Sequence, residues 1–322
     1  MLSIDCLSVG ILVADHLTTP ISHVPRAGEL VLADDLPVAV GGCAANVALD
    51  LARAGVRVAT IGCVGADLFG RYLIDALKAG GARTEGIRVA DGTHTSQTLI
   101  VNVAGEDRRF VHTIGANALL CADDIPLELV RQCKVLYVGG YLLLRSLTGP
   151  ALAGVFRAAR QVGVKTVLDI VLPGKEDCWP ALAAVLPETD VFLPNSDEGE
   201  ALTGHRDPVR QAEHFLAAGT ASVVITCGGG GSVLVSRDQR LHAGVYPVTF
   251  VGGTGAGDAF DAGFITGMLT GEDAAGCLKW GSALGASCVR GVGATETVFT
   301  RDEALEFMRR QKLAIAPSKQ GN

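Results

Sequence analysis

The chain has 322 residues, 48 % of them apolar and 19 % charged, with 27 Lys plus Arg against 34 Asp plus Glu for a formal net charge of −7. Disorder needs the reverse balance, a nucleic-acid binder would carry a basic surplus, and the ten-residue apolar run Val135–Leu144 is half of what a bilayer span requires. A chain of this length can bury a large core as one α/β domain.

The predicted elements alternate between short apolar strands and helices. The first run, Ile4–Val13, has no basic residues ahead of it and contains Asp5, so it reads as a buried strand and not as a signal peptide. Residues 14–40 show no helical pattern; Pro20 and Pro25 punctuate them, and Glu29–Leu32 reads as an extra strand. A helix follows from about Ala44 to Ala54, stopped by Gly55, and then a strand over Val56–Val64. The next helix carries Phe69, Leu73, Ala76 and Leu77 on one face before Gly80-Gly81 ends it. Ser96–Val103 and Arg108–Ile114 flank a turn and read as a hairpin. Further strands are predicted at Val135–Val138, Thr166–Asp169, Val191–Leu193 and Ser222–Thr226, and their uniform apolarity suits a parallel sheet covered on both faces. Segments of about 12–36 and 93–115 fall outside that rhythm and suggest a small β-flap. The tail after Leu313, and residues 319–322 above all, is expected to fray. Nine cysteines, an odd number without C-x-x-C spacing or a partnering His cluster, point to reduced thiols and a cytoplasmic protein.

The densest chemical signal is Gly252-Gly253-Thr254-Gly255-Ala256-Gly257-Asp258, which follows the β-like run Val245–Val251 and opens a helix-compatible run. Small residues let backbone N–H groups converge at a helix start, where they and the helix dipole favour an anion. A carboxylate there, Asp258, could take the proton of an attacking hydroxyl while those amides hold a transferring phosphoryl group. A glycine-rich turn packing a helix on a sheet explains the glycines alone equally well. No Lys-Ser/Thr pair follows any glycine run, which excludes a P-loop.

The stretch Gly255 to Phe264, G-A-G-D-A-F-D-A-G-F, resembles the C-terminal signature of the ribokinase-like (PfkB) carbohydrate kinases. Other matching motifs follow the family's order: V-A-D-H-L with Asp15, G-G-C-A-A-N-V-A with Asn46, Gly62–Gly70, Gly115-Ala116-Asn117, L-P-N-S-D-E with Asn195 and Glu198, and I-T-C-G-G-G-G from Ile225 to Gly231. The resemblance covers about residues 2–310. It implies a doubly wound, mostly parallel sheet with flanking helices and a small β-flap lid, a single domain over 1–318 that uses ATP and Mg²⁺.

The resemblance also implies roles. Asp258 would be the general base and the amides of Gly255, Ala256 and Gly257 the anion hole. Asp15, Gly41, Gly42 and Asn46 would hold the sugar. Asn195, Thr226, Gly228 and Gly231 would lie along the nucleotide, and Glu198 would order Mg²⁺. Asn195 and Glu198 also fit a helix capping box, and Gly228–Gly231 fits a plain hairpin turn. Gly252 replaces an Asp that in many members helps hold a monovalent cation, which argues against K⁺ activation, although carbonyls around Val289–Gly293 and Thr297 could still form such a site. Cys43 stands where ribokinases proper tend to carry Lys, so the motif is nearer the fructokinase and related sugar-kinase branches. The expected reaction is phosphorylation of a small sugar's hydroxymethyl group, in a homodimer joined through the flap. A nucleoside or acidic-sugar kinase and a non-catalytic sugar or nucleotide sensor are the alternatives.

Overall fold

The side chains along the strands of a computed structural model, which describes residues 4–106, 109–174 and 176–318, alternate between two cores and show where the layers lie. Strands β1 (Cys6–Gly10) and β8 (Val135–Gly139) are buried on both faces. Leu7, Val9, Leu136 and Val138 join one hydrophobic cluster, and Cys6, Val135 and Tyr137 join the other. The period of two along each strand thus feeds two cores, as a sheet covered on both sides requires.

Between β1 and β8 the chain lays down β2 (Val13–Leu17), β3 (Val38–Gly41), α1 (Cys43–Arg53), β4 (Val58–Gly65), α2 (Leu68–Ala79), β5 (Arg83–Ala90), β6 (Gln97–Val101), β7 (Arg109–Thr113) and the short α3 (Leu127–Val130). After β8 come α4 (Gly149–Gln161), β9 (Lys165–Leu168), α5 (Trp179–Val185), β10 (Val191–Phe192), α6 (Ser196–Thr203), α7 (Pro208–Ala217), β11 (Ser222–Thr226), β12 (Ser232–Ser236) and β13 (Arg240–Ala243). The chain closes with α8 (Ala256–Thr270), α9 (Ala274–Cys288), α10 (Arg301–Arg310) and β14 (Ile315–Pro317).

The main sheet has the order β14-β13-β12-β11-β10-β9-β8-β1-β4-β5. It is parallel from β5 to β11 and antiparallel beyond. The order reverses between β1 and β8, and such a switch point opens a crevice at the carboxyl ends of the strands. Gly10 and Gly139 meet there: a side chain on Gly10 would lie 2.1 Å from the Gly139 carbonyl oxygen. A second sheet, β3-β2-β6-β7, stands over that end as the lid. The mostly parallel sheet with a small separate lid sheet expected from the motifs is the architecture observed.

Four local expectations are corrected. The predicted strand Ile4–Val13 is two strands, because Asn117 clamps the break at Leu12 from both sides, accepting from its N–H at 3.1 Å and donating to its carbonyl at 3.0 Å. Glu29–Leu32 is not a strand; Leu30 and Leu32 are more than four-fifths exposed, and of the predicted 12–36 segment β2 is the lid strand, paired with β3 beyond it. Val245–Val251 is irregular, with Val245, Phe250 and Val251 exposed. The tail does not fray at Leu313, since Ile315–Pro317 pairs with β13. The hairpin is observed as β6 and β7; Arg108 and residues 319–322 lie outside the described residues.

Candidate active site

Two helix N-termini face the crevice, and glycine shapes both. The α8 N-cap is Gly255 at φ 74, where a Cβ would sit 2.5 Å from the Ala294 carbonyl oxygen. The α1 N-cap is Gly42 at φ 91, where a Cβ would sit 2.5 Å from the Ile11 carbonyl oxygen. Neither cap has a side-chain hydrogen bond. The Ala256 N–H reaches back to the Gly253 carbonyl at 3.3 Å. The N–H groups of Gly255 and Gly257 have no partner among the described residues, so they are open to an anion. α8 is held in place by close packing on α9, where Cβ atoms on Gly263 and Gly267 would meet Trp280 and Cys277 backbone at 2.4 and 2.8 Å.

Asp258, in the first turn of α8, accepts a hydrogen bond from Asn46 Nδ2 of α1 at 2.8 Å. Asn46 is 4 % exposed and its Oδ1 has no partner in the described structure. Asp169, just past β9, accepts from the Gly140 N–H at 3.0 Å. One ligand-type atom from each of Cys43, Asp169 and Asp258 lies within 4.8 Å of the other two. Behind them Tyr137 donates to the buried Asp261 at 3.2 Å. Asp15 comes from the lid strand β2, not from the end of the first main-sheet strand; Thr98 of β6, whose hydroxyl lies 3.0 Å from His112 Nδ1, lines the same cleft. Asp15, Gly42, Cys43, Asn46, Gly255 and Asp258 all line one cleft of about 500 Å³, roofed by Thr98, Phe110 and His112 of the lid. Gly41 is not in the lining; it lies against the Asp15 carboxyl, which a Cβ would approach to 2.0 Å.

Among the described residues the cleft gathers several carboxyls, and Arg145 is the one Lys or Arg in its lining. Burial raises Asp258, and the Asn46 hydrogen bond partly offsets that. Burial lifts Asp15 to about 6, helped by Asp258 and opposed by Thr98. Asp169 is raised by burial and then by the Asp258 charge. Asp50, fully buried on α1 with neither carboxyl oxygen hydrogen-bonded among the described residues, is raised by burial first. Unfolded carboxyls titrate near ~4. Between that pH and about 6 or above, the folded chain therefore holds more protons than the unfolded one, and stability falls as pH rises. Asp5, lowered to about 2 chiefly by Arg57, works in the other direction but only as the pH falls below ~4. The ligand-free protein is expected to melt higher at pH 5 than at pH 7.5, with Asp15→Asn and Asp50→Asn flattening the slope in a thermal-melt series.

The family model for pfkB family carbohydrate kinases matches residues 3–301. The chain belongs to the PfkB family of carbohydrate kinases. It is 31 % identical over 315 residues to a ribokinase of Haemophilus influenzae, covering 93 % of this chain and 97 % of that one. Its fold superposes on the Arabidopsis thaliana ribokinase complexed with ribose and ATP with a TM-score of 0.82, at 25 % identity over 96 % of this chain and 99 % of the other. A putative ribokinase II from E. coli in complex with ATP and Mg²⁺ gives 0.83 at 26 % identity, covering 95 % and 99 %. This PfkB chain is thus an enzyme, a phosphotransferase with an alcohol group as acceptor.

The remaining motif residues of this PfkB kinase form a second locus at the carboxyl ends of β10 and β11. Asn195 pairs with Thr226 as an isolated bridge. Asn195 caps α6, accepting from the N–H groups of Asp197 and Glu198 at 3.0 and 2.9 Å, while Glu198 accepts from the Asn195 N–H at 2.9 Å, so the capping box is real. The Glu198 carboxyl is raised by burial and then by the Asp169 charge, which ties this locus electrostatically to the cleft. A carboxyl so placed fits a divalent cation that would relieve it. Gly228, at φ 51, opens the short turn of the β11–β12 hairpin. Gly231 is needed by the hairpin itself, since a Cβ there would lie 2.0 Å from the Ala243 carbonyl oxygen. Around Gly252, the Val289 carbonyl accepts from the Val251 and Gly252 N–H groups, and the Thr297 carbonyl accepts from Arg290 at 2.8 Å. Protein donors thus already reach two of the carbonyls named for a monovalent cation, those of Val289 and Thr297.

Cys43, Asp169, Asp261 and Arg145 entered no motif-based assignment, yet all but Asp261 line the cleft or its carboxyl cluster. Asp169 had one legible sign, an acid closing an apolar strand at the ligand side of the sheet.

Proposed function

We propose that this kinase transfers the γ-phosphoryl group of ATP to a hydroxymethyl group of a small sugar, with Asp258 as general base. The carrying observation is the convergence of Asp258, Asn46 and Asp15 in one cleft beside the open N–H groups of Gly255 and Gly257. Asp15 accepts hydrogen bonds from sugar hydroxyls, and Asn46 holds Asp258 by one oxygen so that the other faces the acceptor hydroxyl. Asp258 takes the hydroxyl proton as the oxygen attacks, and the Gly255–Gly257 amides hold the phosphoryl oxygens, positioning and charge stabilisation being most of what the reaction asks. Asn195, Thr226 and Gly228 lie along the nucleotide, with Gly231 keeping their hairpin tight. Glu198 would order Mg²⁺ through its waters. When bound, that ion offsets charge on the phosphate oxygens. The lid strands exclude water from the closed site. The reaction as proposed does not call on K⁺.

One observation favours a second substrate class. Arg145 is exposed, lines the same cleft and makes no ion pair or hydrogen bond among the described residues. An acceptor with a carboxylate, such as an aldonic or keto-sugar acid, would give it a partner. ADP release on a panel of pentoses, ketohexoses, sugar acids and nucleosides separates the classes. Asp15→Ala is expected to raise the acceptor KM roughly 10–100-fold, from lost hydrogen bonds to a charged group. Arg145→Ala raises KM selectively if the preferred acceptor is acidic. Nucleoside turnover without sugar turnover overturns the sugar reading.

The homodimer belongs to the same proposal. Among the described residues the lid ends in two edge strands, β3 and β7, and Val111 of β7 is 67 % exposed. A second lid would cover those edges. Light scattering is expected to give the mass of two chains, and a single-chain mass at assay concentration rejects the pairing.

A further inference from the structure

We propose that Cys43, Asp169 and Asp258 form a binding site for a thiophilic divalent cation of the Zn²⁺ class, separate from the Mg²⁺ that travels with ATP. The three ligand atoms, one thiol sulfur and two carboxylate oxygens, lie within 4.8 Å of one another. Zinc bonds of roughly 2.3 Å to sulfur and 2.0–2.2 Å to oxygen set tetrahedral ligand atoms roughly 3.5 Å apart. Closing that gap is a side-chain adjustment, because the backbones are fixed by three different elements: the first turn of α1, the end of β9 and the first turn of α8.

A second observation points to a ligand here. Asn46 is 4 % exposed, its Nδ2 is bound to Asp258 at 2.8 Å, and its Oδ1 has no partner in the described structure. A buried amide oxygen without a donor is costly. It lies beside Asp258, on the same face of α1 as Cys43, where it can serve the metal or the water that completes the shell. Among the described residues no Lys or Arg pairs with these groups: those around the Cys43 thiol are Asp169 and Asp258, with Tyr137 and Asp261 behind. The chemistry of the donors sets the selectivity. Mg²⁺ prefers six oxygen ligands and keeps its waters, whereas a thiolate selects softer metals.

Binding is a proton exchange. The Cys43 S–H bond breaks, its proton leaves to solvent, and the thiolate sulfur forms the bond to the metal; carboxyl protons held in the cluster leave with it. The ion then spans the Asp258 carboxylate. If Asp258 is the base, as in the function proposed above, the occupied site inhibits phosphoryl transfer, and a chelator restores it.

The test separates the site from that reading. The reduced protein is titrated anaerobically with Co²⁺ and followed by the near-ultraviolet thiolate-to-metal charge-transfer band and by visible bands of a four-coordinate ion. One equivalent is expected to give both, and Zn²⁺ to displace them. Cys43→Ala is expected to abolish the charge-transfer band, whereas Cys121→Ser and Cys227→Ser, at the two partly exposed cysteines, leave it intact. Asp169→Asn keeps the acceptor for the Gly140 N–H and is expected to keep the band while weakening binding by more than the roughly 10–100-fold that an outer-shell partner is worth. A band that survives in Cys43→Ala, or fewer than one Cys43-dependent equivalent in the wild type, overturns the site. A Cys43-dependent band without inhibition of turnover leaves the site standing and counts against Asp258 as base.

Discussion

Asp258→Asn is expected to lower kcat by about 10²–10⁴-fold, the usual worth of a positioned general base, while the melting temperature holds or rises. Asn can still accept the 2.8 Å bond from Asn46 Nδ2, so the α1–α8 contact survives the change. What disappears is the proton acceptor and one buried negative charge. That charge now raises both Asp15 and Asp169, and its removal relieves them. Loss of activity with a stable fold and retained Mg²⁺-ATP binding is therefore the expected pattern. A variant that loses activity only by unfolding would make Asp258 a structural carboxylate at a helix terminus. The same raised group shapes the pH profile: activity depends on ionised Asp258, so kcat/KM is expected to fall on the acid side at a pH above the ordinary carboxylate range.

Gly255→Ala is the second large effect, and it strikes stability and chemistry together. At φ 74 a Cβ costs about 1–2 kcal/mol in backbone strain. The new atom would also lie 2.5 Å from the Ala294 carbonyl oxygen and 2.7 Å from its Cα, a clash with backbone that must move, worth about 1–3 kcal/mol. The start of α8 is then displaced, and with it the two open N–H groups. Loss of one such donor costs about 10²–10³-fold in kcat. The expected outcome is a clearly lower denaturant midpoint and a fall in kcat larger than any rise in ATP KM. Gly257→Ala is the internal comparison, since a Cβ there meets nothing within 4 Å. It is expected to fold normally, so equal destabilisation by the two changes would contradict this account of α8.

Where the determinants were local, they were legible. Ser222–Thr226 coincides with β11, and the helix after Gly42 starts within one residue of its predicted position, because apolar runs and glycine stops act over a few residues. Asp258, Asn46 and Asp15 could be named from motifs, and the structure brings all three to one cleft. The element that carries Asp15 could not be read. The break before it depends on Asn117, 105 positions away, clamping Leu12. The pairing of Ile315–Pro317 depends on β13, some seventy residues back, and a three-residue strand has no periodicity of its own. Cys43 looked like a filler in a glycine motif, and only folding places its sulfur against two carboxylates. Arg145 follows an apolar strand without any pattern around it; only folding places it in the lining of the cleft.

The most direct measurement is ³¹P NMR of the product formed from Mg²⁺-ATP and the acceptor that gives the fastest ADP release, with Asp258→Asn run beside the wild type. The account predicts a phosphate monoester whose phosphorus is split by two equivalent protons, the mark of a phosphorylated hydroxymethyl group, and no such signal above background with Asp258→Asn. A phosphorus split by one proton, ADP and inorganic phosphate without any ester, or equal product from both proteins would contradict it.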